Sequence, residues 1–161
     1  MKKASVDEVR SEPNPLGVHE IRKPLGRVLG VENFAMNYFE LDAGESFSGG
    51  LHTHHDQEEV FYVMQGTAEF ETPDDTVTVE AGEGIRFAPG EFQQGSAADD
   101  TGETVKAFAF GAPGKMHDWD DLESLVYCRE CETETGHWTR MNENGEFELT
   151  CRECGNSFTL G

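Results

Sequence analysis

Gly50-Leu51-His52-Thr53-His54-His55-Asp56-Gln57-Glu58-Glu59, running on through Val60-Phe61-Tyr62-Val63-Met64-Gln65 to Gly66, is the stretch that decides how this chain reads. On an extended strand the side chains of residues i and i+2 share a face. His52 and His54 therefore point to one side and His55 to the other. Glu59 opens the next apolar run, so a reversal between the two runs returns its carboxylate to the histidine pair. Two neutral imidazoles and one carboxylate are the facial set of non-haem Fe(II) centres and of related Mn, Ni or Zn sites. The open coordination positions of such a site accept water or substrate.

Working outward, residues 35–41, 51–54, 59–64, 67–72, 76–80, 85–88 and 104–110 read as strands. Asp42-Ala43-Gly44-Glu45, Gln65-Gly66, Pro73-Asp74-Asp75, Ala81-Gly82-Glu83-Gly84 and Pro89-Gly90 read as the turns between them. Short strands with Gly/Pro turns at this spacing predict an all-β sandwich or barrel. Residues 97–103 read as a polar loop. Residues 1–34, with Pro13, Pro15 and Pro24 and little periodicity, read as an N-terminal arm that packs on the barrel. Residues 113–125 read as a linker, with a short helical bridge over 119–125.

The run from His52 to Gly66 resembles the first cupin motif, His-x-His-x4-Glu-x6-Gly. The run Gly82-Glu83-Gly84-Ile85-Arg86-Phe87-Ala88-Pro89-Gly90-Glu91-Phe92-Gln93 resembles the second, whose last position is a histidine ligand. The resemblance implies a cupin jelly-roll barrel, a double-stranded β-helix, over residues 35–112. It also implies a divalent metal, Fe, Mn, Ni or Zn, on His52, His54 and Glu59, with Gln93 in the fourth ligand slot. Gln94 beside it leaves that register open by one. Gln93 is either a weak ligand or a hydrogen-bonding neighbour of a bound water or substrate oxygen. The alternative is a barrel that binds no metal.

The chain has four cysteines, Cys128, Cys131, Cys151 and Cys154, in two Cys-x-x-Cys pairs with 19 residues between them. Such pairs predict a tetrahedral Zn2+ held by four thiolates. Asn144-Gly145 is a hairpin signal, 147–150 alternates as a strand, and Gly155 permits positive φ after the second knuckle. Residues 126–161 therefore resemble a zinc ribbon. His137 is left out of the ligand set because four thiolates already complete it. The ribbon has three arginines against seven glutamates, so docking to a protein partner is preferred to nucleic acid, with a structural tail the other reading.

The length of 161 residues suits one barrel and a small appendage. The net charge of −20, from 32 acidic and 12 basic residues, is spread along the chain. Nonspecific nucleic-acid binding needs clustered Lys and Arg and is disfavoured. A diffuse acidic surface suits a very salty cytoplasm, and a halophilic archaeon is the expected source. No stretch of 18 apolar residues and no apolar run after the first lysines is present, so a cytoplasmic protein without membrane spans is expected. A homodimer is left open.

Two functions stand against each other: a metal-dependent cupin acting on a small polar metabolite, or a non-catalytic sensor or adaptor whose ribbon docks a partner. Tyr38 is the candidate acid or base. Arg86 is either an outward surface residue or an anchor for an acidic ligand. Met36, Tyr38, Phe47, Phe61, Phe87, Phe92 and Phe108 are candidates for the core or for pocket walls. His19 and His117 lack partners at ligand spacing and are expected at the surface. No nucleophile triad, phosphate loop or dinucleotide fingerprint appears.

Overall fold

Period-two burial organises the barrel strands. A computed structural model describes residues 1–12, 14–98, 102–115 and 121–160. In chain order the strands are β1 (Ile21–Lys23), β2 (Ala35–Leu41), β3 (His52–His54), β4 (Glu58–Gln65), β5 (Thr67–Glu71), β6 (Thr76–Glu80), β7 (Gly84–Phe87), β8 (Gln94–Ala97), β9 (Val105–Ala112), β10 (Leu122–Cys128), β11 (Thr133–Met141), β12 (Phe147–Cys151) and β13 (Ser157–Leu160). A short helix, α1 (Leu25–Leu29), lies between β1 and β2. Along β9, Val105, Ala107 and Ala109 are buried and their neighbours half-buried; along β4, Glu59, Phe61 and Val63 are buried.

One antiparallel sheet has the order β1-β2-β9-β4-β7, and a second has β6-β5-β8. The core lies between them. Phe47, Phe61, Phe70 and Phe87 form its aromatic centre, with centroids 5.0 Å apart for Phe47–Phe61, 4.9 Å for Phe61–Phe70 and 5.6 Å for Phe70–Phe87. Gly95 on β8 is required here, because a Cβ would sit 2.4 Å from Phe70 and 2.7 Å from Phe47. Adding even one methyl to a close-packed core of this kind costs about 1–3 kcal/mol.

The third sheet, β13-β12-β11-β10-β3, joins the four ribbon strands to the histidine-bearing strand of the barrel. Leu122 pairs with His54, Glu123 with Thr53 and Ser124 with His52. On its other edge His52 bridges Gln93, with N···O distances of 3.1 and 2.8 Å. The strand that carries both histidines is thus held between the barrel and the ribbon.

Several expectations need correction. Residues 122–125 are not helical: they are the first half of β10, hydrogen-bonded to β3 and β11. Residues 119 and 120 of that expected bridge lie outside the described residues, as does His117. The N-terminal arm is not wholly irregular, since β1 adds to the edge of β2 and α1 follows it. Ala97, expected in a loop, ends β8; residues 99–101 of that loop lie outside the described residues. His19 is buried, its Nδ1 2.9 Å from the Ser46 carbonyl oxygen and its ring edge-on to Phe39. No helix among the described residues is long and apolar enough to cross a membrane.

Candidate metal centre

Strand geometry brings His52, His54 and Glu59 together as their spacing predicts. Their ligand atoms all lie within 4.8 Å of one another. Glu59 Oε2 is 3.9 Å from His52 Nε2, and Oε1 is 3.7 Å from His54 Nε2. Two bonds of about 2.1 Å to one ion, meeting at a tetrahedral angle, span about 3.4 Å. Each Glu59 oxygen therefore lies within about half an ångström of the spacing from its histidine that one ion requires. His52 Nδ1 lies 2.9 Å from the Gly50 carbonyl oxygen. A carbonyl can only accept, so Nδ1 carries the proton and Nε2 keeps its lone pair toward the site.

Gln93 converges on the same point and is 1% exposed. Its Nε2 donates to Glu59 Oε2 at 2.7 Å and lies 3.4 Å from His52 Nε2. Its Oε1 is buried with no hydrogen-bond partner among the described residues. The set has the composition of a divalent-metal site: two imidazole nitrogens, one carboxylate and a neighbouring amide.

A cavity of about 250 Å³ opens above these four residues. That is just under the range of about 300–1,000 Å³ for pockets that take drug-sized ligands, and it suits a small metabolite. Phe47 and Phe61 line its barrel side. The opposite wall comes from the inward face of the ribbon sheet: Leu122, Ser124, Val126, Thr139, Phe147 and Leu149. The separation of ribbon from barrel implied by their sequences does not extend to this cavity, which needs both.

Neither polar candidate proposed for the pocket lies in it. Arg86 sits on the outer face of β7, more than half exposed, with its Nε 2.6 Å from Glu58 Oε2. Tyr38 alternates onto the face of β2 opposite Phe39, packs on Phe108, and donates to Glu40 Oε1 at 3.0 Å. Burial, with help from Glu40, pushes its phenol up to about 12, so it keeps its proton at neutral pH. The cations that do line the cavity are Arg22, Arg27 and Lys115. Arg22 was findable only by knowing that β1 joins the barrel edge. It pairs with Phe39, an inward residue, and so shares its face.

The four cysteines also converge. Cys128 Sγ lies 3.6 Å from Cys154 Sγ, Cys131 Sγ lies 3.9 Å from Cys151 Sγ, and all four sulfurs fall within 4.8 Å. All four are free thiols. Tetrahedral bonds of about 2.3 Å place sulfurs about 3.8 Å apart. The residue after each second cysteine has positive φ, 54° at Glu132 and 75° at Gly155, so both knuckles turn the same way. The hydroxyl of Thr135, 3.3 Å from Cys151 Sγ, and backbone amides of the second knuckle hold that thiol below its ordinary value and favour the thiolate.

A polar bridge ties this knuckle to the barrel. Glu123 accepts from Arg152 of the second knuckle and meets His55 Nε2, both at 2.6 Å. Arg152 also lies 4.8 Å over the Trp138 ring. Burial alone would raise the Glu123 carboxyl; the Arg152 and His55 contacts outweigh it and hold it below the usual range. Gly136 makes room for that carboxylate, because a Cβ there would collide with Glu123 Oε1.

Residues 37–105 match the cupin domain family. No curated protein matches the chain. A cupin-superfamily sugar phosphate isomerase from Silicibacter pomeroyi is similar in structure, with TM-score 0.59 and 16% identity over 99% of this chain and 92% of that one. A polyketide cyclase from Streptomyces resistomycificus superposes with TM-score 0.58 and 24% identity, over 70% and 79% of the two chains. A cupin protein from Bacteroides fragilis does so with TM-score 0.52 and 20% identity, over 66% and 85%. At these identities the likeness establishes the fold.

Proposed function

We propose, from the premise that residues 37–105 belong to the cupin domain family and fold as its barrel, that this protein acts on a small polar metabolite at a divalent metal held by His52, His54 and Glu59. The observation that carries the reading is the convergence of those three side chains at the base of a cavity of about 250 Å³. When bound there, the ion supplies a Lewis acid for an oxygen of the ligand. His52 is held in the required tautomer by Gly50. Gln93 steadies the Glu59 carboxylate, and the 2.7 Å hydrogen bond favours this role over direct ligation. The ribbon face supplies an apolar wall beside the metal residues, and a lower local dielectric strengthens polar contacts there. Two solved neighbours carry the name sugar phosphate isomerase, one with TM-score 0.59 and the other 0.54. That is in keeping with a hydroxylated or anionic ligand.

The second reading is a sensor without turnover. It has one observation in its favour: Gln93 stands where the second cupin motif has an imidazole, and Tyr38 is turned away from the cavity. Under either reading the four-cysteine ribbon holds structural Zn2+. A reducing cytoplasm keeps its thiols available for metal. The contribution of ribbon side chains to the cavity wall supports a role inside this molecule ahead of partner docking.

Thermal-shift screening of carboxylates and sugars in the presence of Fe2+, Mn2+, Ni2+ or Zn2+ tests the proposal. A ligand at about 100 times its Kd stabilises by about 2.7 kcal/mol, a shift of several degrees for a chain of this size. Hits should appear only with metal loaded, and turnover assays on them separate enzyme from sensor. No stabilisation with any metal would contradict both readings.

The excess of 32 acidic over 12 basic residues supports a protein built for molar salt, from a halophilic source. Salt at about 1 M shortens the screening length to about 3 Å and relieves self-repulsion. The melting temperature by circular dichroism should rise steadily across a KCl series. A flat series would remove the halophilic reading.

A further inference from the structure

The charges lining the cavity run opposite to those of the chain. Across the sequence acidic residues outnumber basic ones 32 to 12, yet the cavity is lined by Arg22, Arg27 and Lys115 against only Glu12 and Glu59. Glu59 belongs to the proposed metal site, so Glu12 is the one remaining carboxylate among the described lining residues. Three of the twelve cations line this one cavity, a concentration that a solvated acidic surface does not require.

Arg22 is the centre of this group. Its place on β1 opposite Phe39 turns it inward, and its side chain is 30% exposed. Its Nε is buried and has no hydrogen-bond partner among the described residues. Its nearest counter-charge, Glu12 Oε2, is 3.8 Å from its terminal nitrogen, beyond hydrogen-bonding reach. Glu12 is shared, since its other oxygen pairs with Arg27. The guanidinium is thus desolvated and underused; burial lowers its pKa accordingly, although an arginine stays charged. A guanidinium with free N–H donors facing a cavity matches the geometry of a phosphate or carboxylate. Lys115, paired with Glu32 at 3.2 Å, and Arg27 are more exposed and would add attraction at the rim.

We propose that Arg22, supported by Arg27 and Lys115, forms an anion subsite, so the ligand carries a phosphate or carboxylate at one end and a metal-binding oxygen at the other. The two-ended ligand rests on the metal reading above; the anion subsite does not. Glu12 is its internal counter-ion, displaced toward Arg27 when the anion enters.

Isothermal titration of the intact protein with inorganic phosphate and, separately, with malonate tests this. Wild type should bind at least one of the two, and which one tells phosphate from carboxylate. Arg22→Ala should weaken that binding at least tenfold, and Arg22→Lys should recover part of it. Glu12→Gln should tighten it severalfold, a gain that loss of a merely structural contact would not produce. The His52→Ala/His54→Ala variant should still bind the anion, so failure of the metal site and failure of the anion subsite are read separately. If neither anion binds wild type, or if affinity is the same in wild type, Arg22→Ala and Glu12→Gln, the subsite does not exist.

Discussion

Replacing Cys128 and Cys151 together with serine should unfold the ribbon and disable the barrel cavity with it. Structural Zn2+ contributes about 10–16 kcal/mol of apparent folding free energy in small zinc modules. That is comparable to the whole stability of a typical domain, about 5–15 kcal/mol. Cys128 and Cys151 are the buried pair, at 0% and 2% exposure, each drawn from a different knuckle. Without them the ribbon keeps only a thin apolar layer, chiefly Phe147 and Leu149. Its loss has a second consequence. β10 is the hydrogen-bonded neighbour of β3, so its departure leaves the strand of His52 and His54 with a thin set of backbone bonds on its far side, the Gln93 bridge and the Gly90 N–H to the His54 carbonyl oxygen. It also removes Leu122, Ser124 and Val126 from the cavity wall. The expected result is one zinc fewer per chain, loss of amide-exchange protection over residues 122–160, and at least tenfold weaker binding of any ligand found by the screen. Protection in β4 and β9 should persist. Ligand affinity within twofold of wild type, with the ribbon unfolded, would show that the ribbon and the cavity are independent.

His52→Ala/His54→Ala should have the complementary effect: the barrel metal is lost and the ribbon zinc is kept. Even groups that only orient ligands cost about 10–100-fold in metal affinity when removed. Two imidazoles, each bonded directly to the ion, should cost well beyond that. The fold should survive, because the pairing of β3 with β10 and Gln93 uses backbone groups that alanine retains. Two metals per chain should become one. An unchanged stoichiometry would mean that the three side chains converge for some purpose other than metal.

Much of this was legible in the sequence, for identifiable reasons. The i, i+2 rule placed His52 and His54 on one face, and four thiols in two tight pairs leave a small module few other arrangements. Strands β2 and β6 ran to the residue as read, because their turns carry Gly, Pro and Asp. The failures share a cause: they depend on which element covers which face. Arg86, between Ile85 and Phe87 on β7, is no such failure: alternation turns it outward, the first of its two readings. In β2 apolar residues fall on both faces, Met36 and Tyr38 on one and Phe39 and Leu41 on the other, so alternation could not tell Tyr38 from Phe39. The segment beginning at Leu122 carries Leu122 and Leu125 at helical spacing, yet it is captured by strands on both sides. Arg22 lay in an arm without periodicity, and nothing local marks it as inward. The shared sheet between barrel and ribbon, on which the cavity depends, is a long-range pairing that the two motifs read separately do not announce.

The central claim is that a metal sits on His52, His54 and Glu59, apart from the ribbon ion. The most direct measurement is anomalous diffraction from crystals of the metal-loaded protein. The account predicts two peaks per chain. One should lie about 2.0–2.2 Å from His52 Nε2, His54 Nε2 and a Glu59 oxygen. The other should lie about 2.3 Å from the four sulfurs. A single peak at the cysteines, with the barrel site holding only water, would contradict it.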